Sequence, residues 1–139
     1  MNITVLGAGA WGTALAIHFA KQHHQVRLWA RDTEHVLQMK QSRSNERYLA
    51  GFVFPPQLTL ETDLQAAISA TELLLIATPV AGLRPPLEKI NPHIGAGIPI
   101  MTASKGFEVS TGKLPHHIVA DLLPQQQHII LLQGPIFAP

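Results

Sequence analysis

A strand, a glycine-rich turn and a helix in immediate succession limit what this chain can become. Residues 3–6 are apolar and of strand length, Gly7-Ala8-Gly9-Ala10-Trp11-Gly12 follows, and residues 13–21 read as a helix. The G-x-G-x-x-G spacing carries meaning only in that setting. Gly7 permits the tight turn, Gly9 lets the backbone come close to a pyrophosphate, and Gly12 lets the helix lie close on the strand. The start of the helix offers phosphates its unpaired N–H groups and the positive end of its dipole. The plainer alternative is a turn whose glycines serve packing alone. The strand–turn–helix context favours a dinucleotide site.

The rest of the chain repeats the alternation. Strands are expected at 2–6, 25–29, 58–60, 72–77, 99–102 and 128–133. The run Leu73-Leu74-Leu75-Ile76 suits a parallel strand buried on both faces. Helices are expected at 11–22, from an Asp32 cap to about 41, at 63–67 and at 114–123 with Pro115 in its first turn. Leu15, Ala16 and Phe19 should face the sheet. Pro85 and Pro86 place another helix at 86–90, or kink it there. Residues 42–56 read as a long connection and 103–112 as a loop. This order predicts an α/β fold, a doubly wound parallel sheet with right-handed crossovers, as one domain over 1–139.

Composition narrows the function. Hydrophobic residues make up 46% and charged residues 14% of 139, which fits a buried sheet flanked by helices. A net charge of +1 leaves no footprint for nucleic acid or an anionic membrane. The absence of cysteine excludes a disulfide framework, a thiolate metal site and a cysteine nucleophile. Eight histidines include the pairs His23-His24 and His116-His117, but helical neighbours diverge, so no metal site is expected. These histidines should be surface or half-buried. Ser104 and Ser110 lack a nucleophile motif. No signal peptide or membrane-spanning run is apparent, so a cytoplasmic protein is expected.

The end of the second strand bears on cofactor choice. In NAD-preferring sites an acidic residue there accepts from the ribose 2′-OH. Here Ala30 stands at that position and Arg31 follows. An arginine can pair with a 2′-phosphate, which favours NADPH over NADH. A one-residue shift in register would instead put Asp32 at the ribose. The plain alternatives are a solvated Arg31 and an Asp32 that only caps its helix.

Several segments together resemble one family, the bacterial NAD(P)-dependent glycerol-3-phosphate dehydrogenases. They are residues 7–14, the strand end Leu28-Trp29-Ala30-Arg31-Asp32, and Asn45-Glu46-Arg47-Tyr48-Leu49-Ala50-Gly51. Thr78-Pro79, Leu83-Arg84, Ala103-Ser104-Lys105-Gly106-Phe107-Glu108 and Gly134-Pro135-Ile136-Phe137-Ala138 complete the set. The resemblance implies a Rossmann oxidoreductase that transfers hydride between NAD(P)H and dihydroxyacetone phosphate, a phosphorylated triose. The product, sn-glycerol 3-phosphate, enters phospholipid biosynthesis and lipid metabolism. It implies cofactor contacts at Ala10, Trp11, Arg31, Asp32, Tyr48, Lys105 and Ala138, beside Gly7, Gly9 and Gly12 of the turn. It implies substrate contacts at Lys105, Gly134 and Ile136. A Lys105 ammonium near the substrate carbonyl would stabilise the developing alkoxide, giving it a catalytic role.

Ala50 and Ile136 depart from the family pattern, where proline and a small hydroxyl residue stand. The family also continues into a helical C-terminal domain that supplies a proton-transfer lysine and a phosphate-binding arginine. The chain is therefore expected to be a truncated cofactor-binding domain that binds NADP in preference to NAD without efficient catalysis. A stand-alone dinucleotide-binding module and a truncated 2-keto or 3-hydroxy acid reductase remain as alternatives. An exposed last strand would favour self-association.

Overall fold

In the computed structural model, which describes residues 1–126 and 128–132, the elements follow in this order: β1 (Asn2–Leu6), α1 (Ala10–Lys21), β2 (Gln25–Trp29), α2 (Thr33–Ser42), β3 (Ser44–Asn45), β4 (Leu49–Val53), β5 (Leu58–Glu61), α3 (Leu64–Ile68), β6 (Leu73–Ile76), α4 (Arg84–Ile90), β7 (Ile100–Thr102), α5 (Pro115–Leu122) and β8 (Ile129–Leu131). Six strands form one sheet in the order β5-β2-β1-β6-β7-β8. Every pairing within it is parallel. The chain starts at the centre, winds out through β2 and β5, returns beside β1 as β6, and winds out the other way. Such a reversal opens a crevice at the C-terminal ends of the two central strands.

Side-chain alternation explains the two layers. Val5 and Leu75 join a core with Ala16, Val36 and Met39 of α1 and α2. Their strand neighbours Leu6 and Leu74 join a second core with Ile68, Leu87 and Ile118 of α3, α4 and α5. Successive strand residues point to opposite faces, so the apolar runs of β1 and β6 feed both cores at once.

Three expectations need correction. The face of α1 turned to the core is Gly12, Thr13, Ala16, Ile17 and Ala20, while Leu15 and Phe19 pack only along its flank. Small residues at 12, 16 and 20 let the helix approach the sheet more closely than a leucine–phenylalanine face would. The connection 42–56 holds a two-stranded antiparallel sheet, β3 with β4. Arg43 ends α2 in the left-handed conformation, φ 54°. The helix α4 starts at Arg84, before the predicted 86, and both prolines sit in its first turn, where amide donors have no partner to lose. Gln133 of the predicted last strand lies outside the described residues. No helix among the described residues is long and apolar enough to cross a membrane.

Candidate functional site

The glycine turn sits at the strand-order reversal, and its three glycines do different work. Gly7 has φ +112° and donates its N–H to Trp29 O at 2.9 Å. A Cβ there would stand 2.8 Å from the Ala77 carbonyl carbon and the Thr78 nitrogen. A Cβ on Gly12 would stand 2.1 Å from Gly7 O, so Gly12 serves packing inside the turn. A Cβ on Gly9 would meet nothing within 4 Å. Gly9 is the N-cap of α1 and supplies no side-chain cap, and the first turn of α1 carries no acidic residue. The leading N–H groups of α1 thus receive no side-chain cap from Gly9 and no acidic neighbour in the first turn. By contrast α2 and α3 are capped by Asp32 and Asp63.

Two lobes open on either side of this turn. The first, about 360 Å³, lies at the end of β2 and is bordered by Gly7, Gly9, Arg31, Asp32, Arg47 and Tyr48. The second, about 620 Å³, lies toward β6 and β7 and is bordered by Ala10, Trp11, Leu49, Ala77, Ser104 and Lys105. Thr78 and Pro79 border both. The Thr78 hydroxyl is buried and has no hydrogen-bond partner among the described residues. The candidate residues thus sort into the two lobes, with Gly12 behind them. Gly134, Ile136 and Ala138 lie outside the described residues.

Asp32 is engaged twice. Its Oδ1 accepts from the N–H groups of Glu34 at 3.0 Å and His35 at 3.3 Å, and its Oδ2 pairs with Arg47 Nη1 at 2.9 Å. The Arg47 hydrogen bond first, then the cap bonds, hold its carboxyl below the usual carboxylate range.

The hairpin β3–β4 is fastened to the glycine turn by Asn45, which is fully buried. Its Nδ2 donates to Ala8 O at 2.9 Å and to Thr13 Oγ1 at 2.8 Å. Its Oδ1 accepts from Tyr48 N–H at 3.2 Å and pairs with His35 Nε2 at 2.9 Å. The His35 and Tyr48 rings meet edge-on, centroids 5.4 Å apart. His35 is buried, against the expectation of a surface or half-buried residue, because it lies on the side of α2 that meets the hairpin at Asn45 and Tyr48. Among the described residues, no three His, Asp or Glu side chains come together as a metal site.

Lys105 is exposed, but its loop is clamped on both sides. Ser104 Oγ donates to Thr78 O, and Arg84 grips Glu108 in a two-pronged pair at 2.7 and 2.9 Å. The Arg84 hydrogen bonds, then that of Thr111, lower the Glu108 pKa from 4.5 to about 2. A depressed carboxyl stabilises the fold above its unfolded pKa, and that contribution disappears as pH falls through the folded value. Glu108→Gln is therefore expected to flatten the melting-temperature profile between about pH 5 and pH 2. Parallel profiles for variant and wild type in that window would contradict the role given to this pair.

Reasoning from residues alone missed His35, Asn45, Arg47 and Thr78. Asn45, Arg47 and Thr78 stand in segments carrying the family resemblance, yet nothing local marks their contacts. Residues 2–139 match the family described as NAD-dependent glycerol-3-phosphate dehydrogenase N-terminus. The chain is 42% identical over 138 residues to a glycerol-3-phosphate dehydrogenase [NAD(P)+] of Dechloromonas aromatica, covering 99% of this chain and 41% of that protein. It is 47% identical to the enzyme of the same name from Aromatoleum aromaticum, over 99% of this chain and 42% of that one. A crystal structure of glycerol-3-phosphate dehydrogenase from Coxiella burnetii superposes with a TM-score of 0.89 at 34% identity, covering 96% of this chain and 41% of that chain. The chain thus spans about two fifths of the length of the curated relatives it matches.

Proposed function

The chain belongs to the NAD-dependent glycerol-3-phosphate dehydrogenase family, in the N-terminal cofactor-binding region, and from that premise we propose that its two-lobed cleft binds NADPH in preference to NADH. The bound nicotinamide nucleotide would supply hydride to dihydroxyacetone phosphate, giving sn-glycerol 3-phosphate for phospholipid synthesis in the cytoplasm. The observation that carries this reading is the uncapped start of α1 standing between two lobes at the strand-order reversal. The open space at Gly9 and the unpartnered Thr78 hydroxyl fit a polar ligand laid across the turn.

Each residue then has a task. The N–H groups at the start of α1, with Gly9, hold the pyrophosphate. Arg31 faces the adenosine 2′ group, and Tyr48 covers that lobe. Ala10, Trp11 and Lys105 border the nicotinamide lobe. Lys105 places its ammonium where the reduced carbonyl oxygen gathers charge. The family resemblance assigns substrate contacts to Gly134 and Ile136 and a cofactor contact to Ala138. Among the described residues β8 lies at one end of the sheet, with Ile130 and Leu131 exposed, and is our candidate edge for self-association.

Titration of the 139-residue chain with NADPH and with NADH, followed by tryptophan fluorescence, tests this reading. Trp11 borders the nicotinamide lobe, whereas Trp29 is buried with its Nε1–H held by Thr62 O. Saturable binding is expected, about 10-fold tighter for NADPH, the scale of one added charge-assisted contact. Dihydroxyacetone phosphate should draw little NADPH oxidation from these 139 residues alone. They hold no counterpart of the proton-transfer lysine and phosphate-binding arginine that the resemblance implies, and such orientation is worth ~7–11 kcal/mol. No saturation with either nucleotide would overturn the binding proposal, and brisk turnover would overturn the need for further groups.

A further inference from the structure

We infer that Arg47 is a second cofactor-selecting arginine, and that Asp32 is an internal stand-in for the anion it reads, a nucleotide 2′-phosphate. The inference rests on the NADPH reading above and deepens it. Arg31 and Arg47 come from different elements, the end of β2 and the β3–β4 hairpin, and border the same lobe. A phosphomonoester carries about −1.5 to −2 charge at neutral pH, so one arginine leaves it under-neutralised. A free 2′-hydroxyl makes no such demand.

Three observations place Arg47 in this role. First, its backbone is set by a rigid frame. Its neighbour Tyr48 donates N–H to the buried Asn45, which is tied to Ala8 and Thr13 of the glycine turn. The Arg47 backbone is thereby held at the rim of the adenosine lobe, which the residue borders. Second, its side chain is half exposed, with Nη1 on Asp32 and the guanidinium 6.0 Å from the centroid of the Tyr48 ring. A guanidinium carries five N–H donors, so the planar fork can still present some of them to a phosphate. Third, Asp32 already accepts three hydrogen bonds, two on the oxygen that caps α2 and one from Arg47 on the other. An exposed ion pair of this kind is weak and exchanges readily. Bringing in a 2′-phosphate moves Arg47 from carboxylate to phosphate, and the Asp32 charge opposes the exchange. Asp32 therefore tempers the preference that Arg31 and Arg47 create.

The test uses the 139-residue chain and two fragments, adenosine 2′,5′-bisphosphate and adenosine 5′-monophosphate, measured by calorimetry. Wild type should bind the bisphosphate about 10-fold more tightly. Arg47→Gln should remove most of that preference while leaving the monophosphate within about 2-fold. Asp32→Asn should raise bisphosphate affinity about 3-fold, because asparagine caps a helix as well as aspartate but cannot compete for Arg47 as an anion. In the double variant that gain should vanish.

The failures are distinguishable. Equal affinity of wild type for both fragments would remove the NADPH reading and this inference with it. A wild-type preference kept by Arg47→Gln would overturn the inference and leave the NADPH reading on Arg31. An Asp32→Asn gain that survives in the double variant would show direct repulsion of the phosphate, overturning the exchange. Melting curves accompany each variant. If Arg47→Gln does not fold, Arg47→Met, which keeps the apolar stem, takes its place alone and in the double variant, and a bisphosphate preference that it keeps counts against the inference.

Discussion

Gly12→Ala is expected to lower the melting temperature by roughly 10 °C, and Gly9→Ala to leave it unchanged while nucleotide binding falls about 10- to 100-fold. Helix propensity alone predicts the opposite for Gly12, since alanine is favoured over glycine by about 1 kcal/mol inside a helix. The new Cβ would stand 2.1 Å from Gly7 O, a backbone atom that cannot turn aside as a side chain would. Relief must come from moving α1 away from the turn, and overpacking of this kind costs about 1–3 kcal/mol or more. The clash therefore wins over propensity.

Gly9 differs on both counts. Its φ of −74° suits any residue and its Cβ would meet nothing. The added methyl would fill only open space, the space through which, in the proposed binding mode, a pyrophosphate approaches the N–H groups of α1. Thermal melts and NADPH titrations of the two variants should separate a packing glycine from a ligand glycine. If Gly9→Ala binds NADPH as wild type does, the proposed pyrophosphate seat is wrong. If Gly12→Ala melts like wild type, the turn is looser than its geometry shows.

Asn45→Ala is expected to destabilise the chain by about 3 kcal/mol and to loosen the hairpin. Removing the amide leaves Ala8 O, Thr13 Oγ1, Tyr48 N–H and His35 Nε2 without the partner that joins them. Each buried group left unpaired costs about 1–3 kcal/mol, although some will find water in the cavity that opens. The urea midpoint should fall without a change in slope. Amide exchange should quicken across β3 and β4 before it does so in β1 and β6. NADPH affinity should fall with it, since Arg47 and Tyr48 depend on the hairpin for their place in the adenosine lobe. An unaltered urea midpoint would mean that the network contributes no net stability.

The six strands of the parallel sheet, the glycine turn and the strand–helix alternation were legible because each leaves a local mark. β6 reads from four apolar residues in a row, and β1 from an apolar run that ends at Gly7. The arrangement of Ala10, Trp11 and Lys105 around one lobe follows from topology, since parallel strands bring their C-terminal loops to one edge of the sheet. The family segments, spread through the chain, pointed to the glycerol-3-phosphate dehydrogenase family, to which the family match assigns the chain.

Other features depended on contacts between residues far apart in the chain. The hairpin was hidden because most of β4 is exposed, so no alternation of buried and solvent-facing residues marks it. The helical pattern of α1 offered a large-residue stripe at Leu15 and Phe19, but close approach to the sheet selected the small one at Gly12, Ala16 and Ala20. Asn45 meets Ala8 across 37 positions, Arg84 meets Glu108 across 24, and Arg47 meets Asp32 across 15. Local patterning by itself determined a parallel sheet built around a glycine-rich turn. Tertiary structure alone decided which polar side chains are spent on one another and which are left for a ligand, because a hydrogen bond depends on where two groups meet in space, and spacing along the chain does not record that.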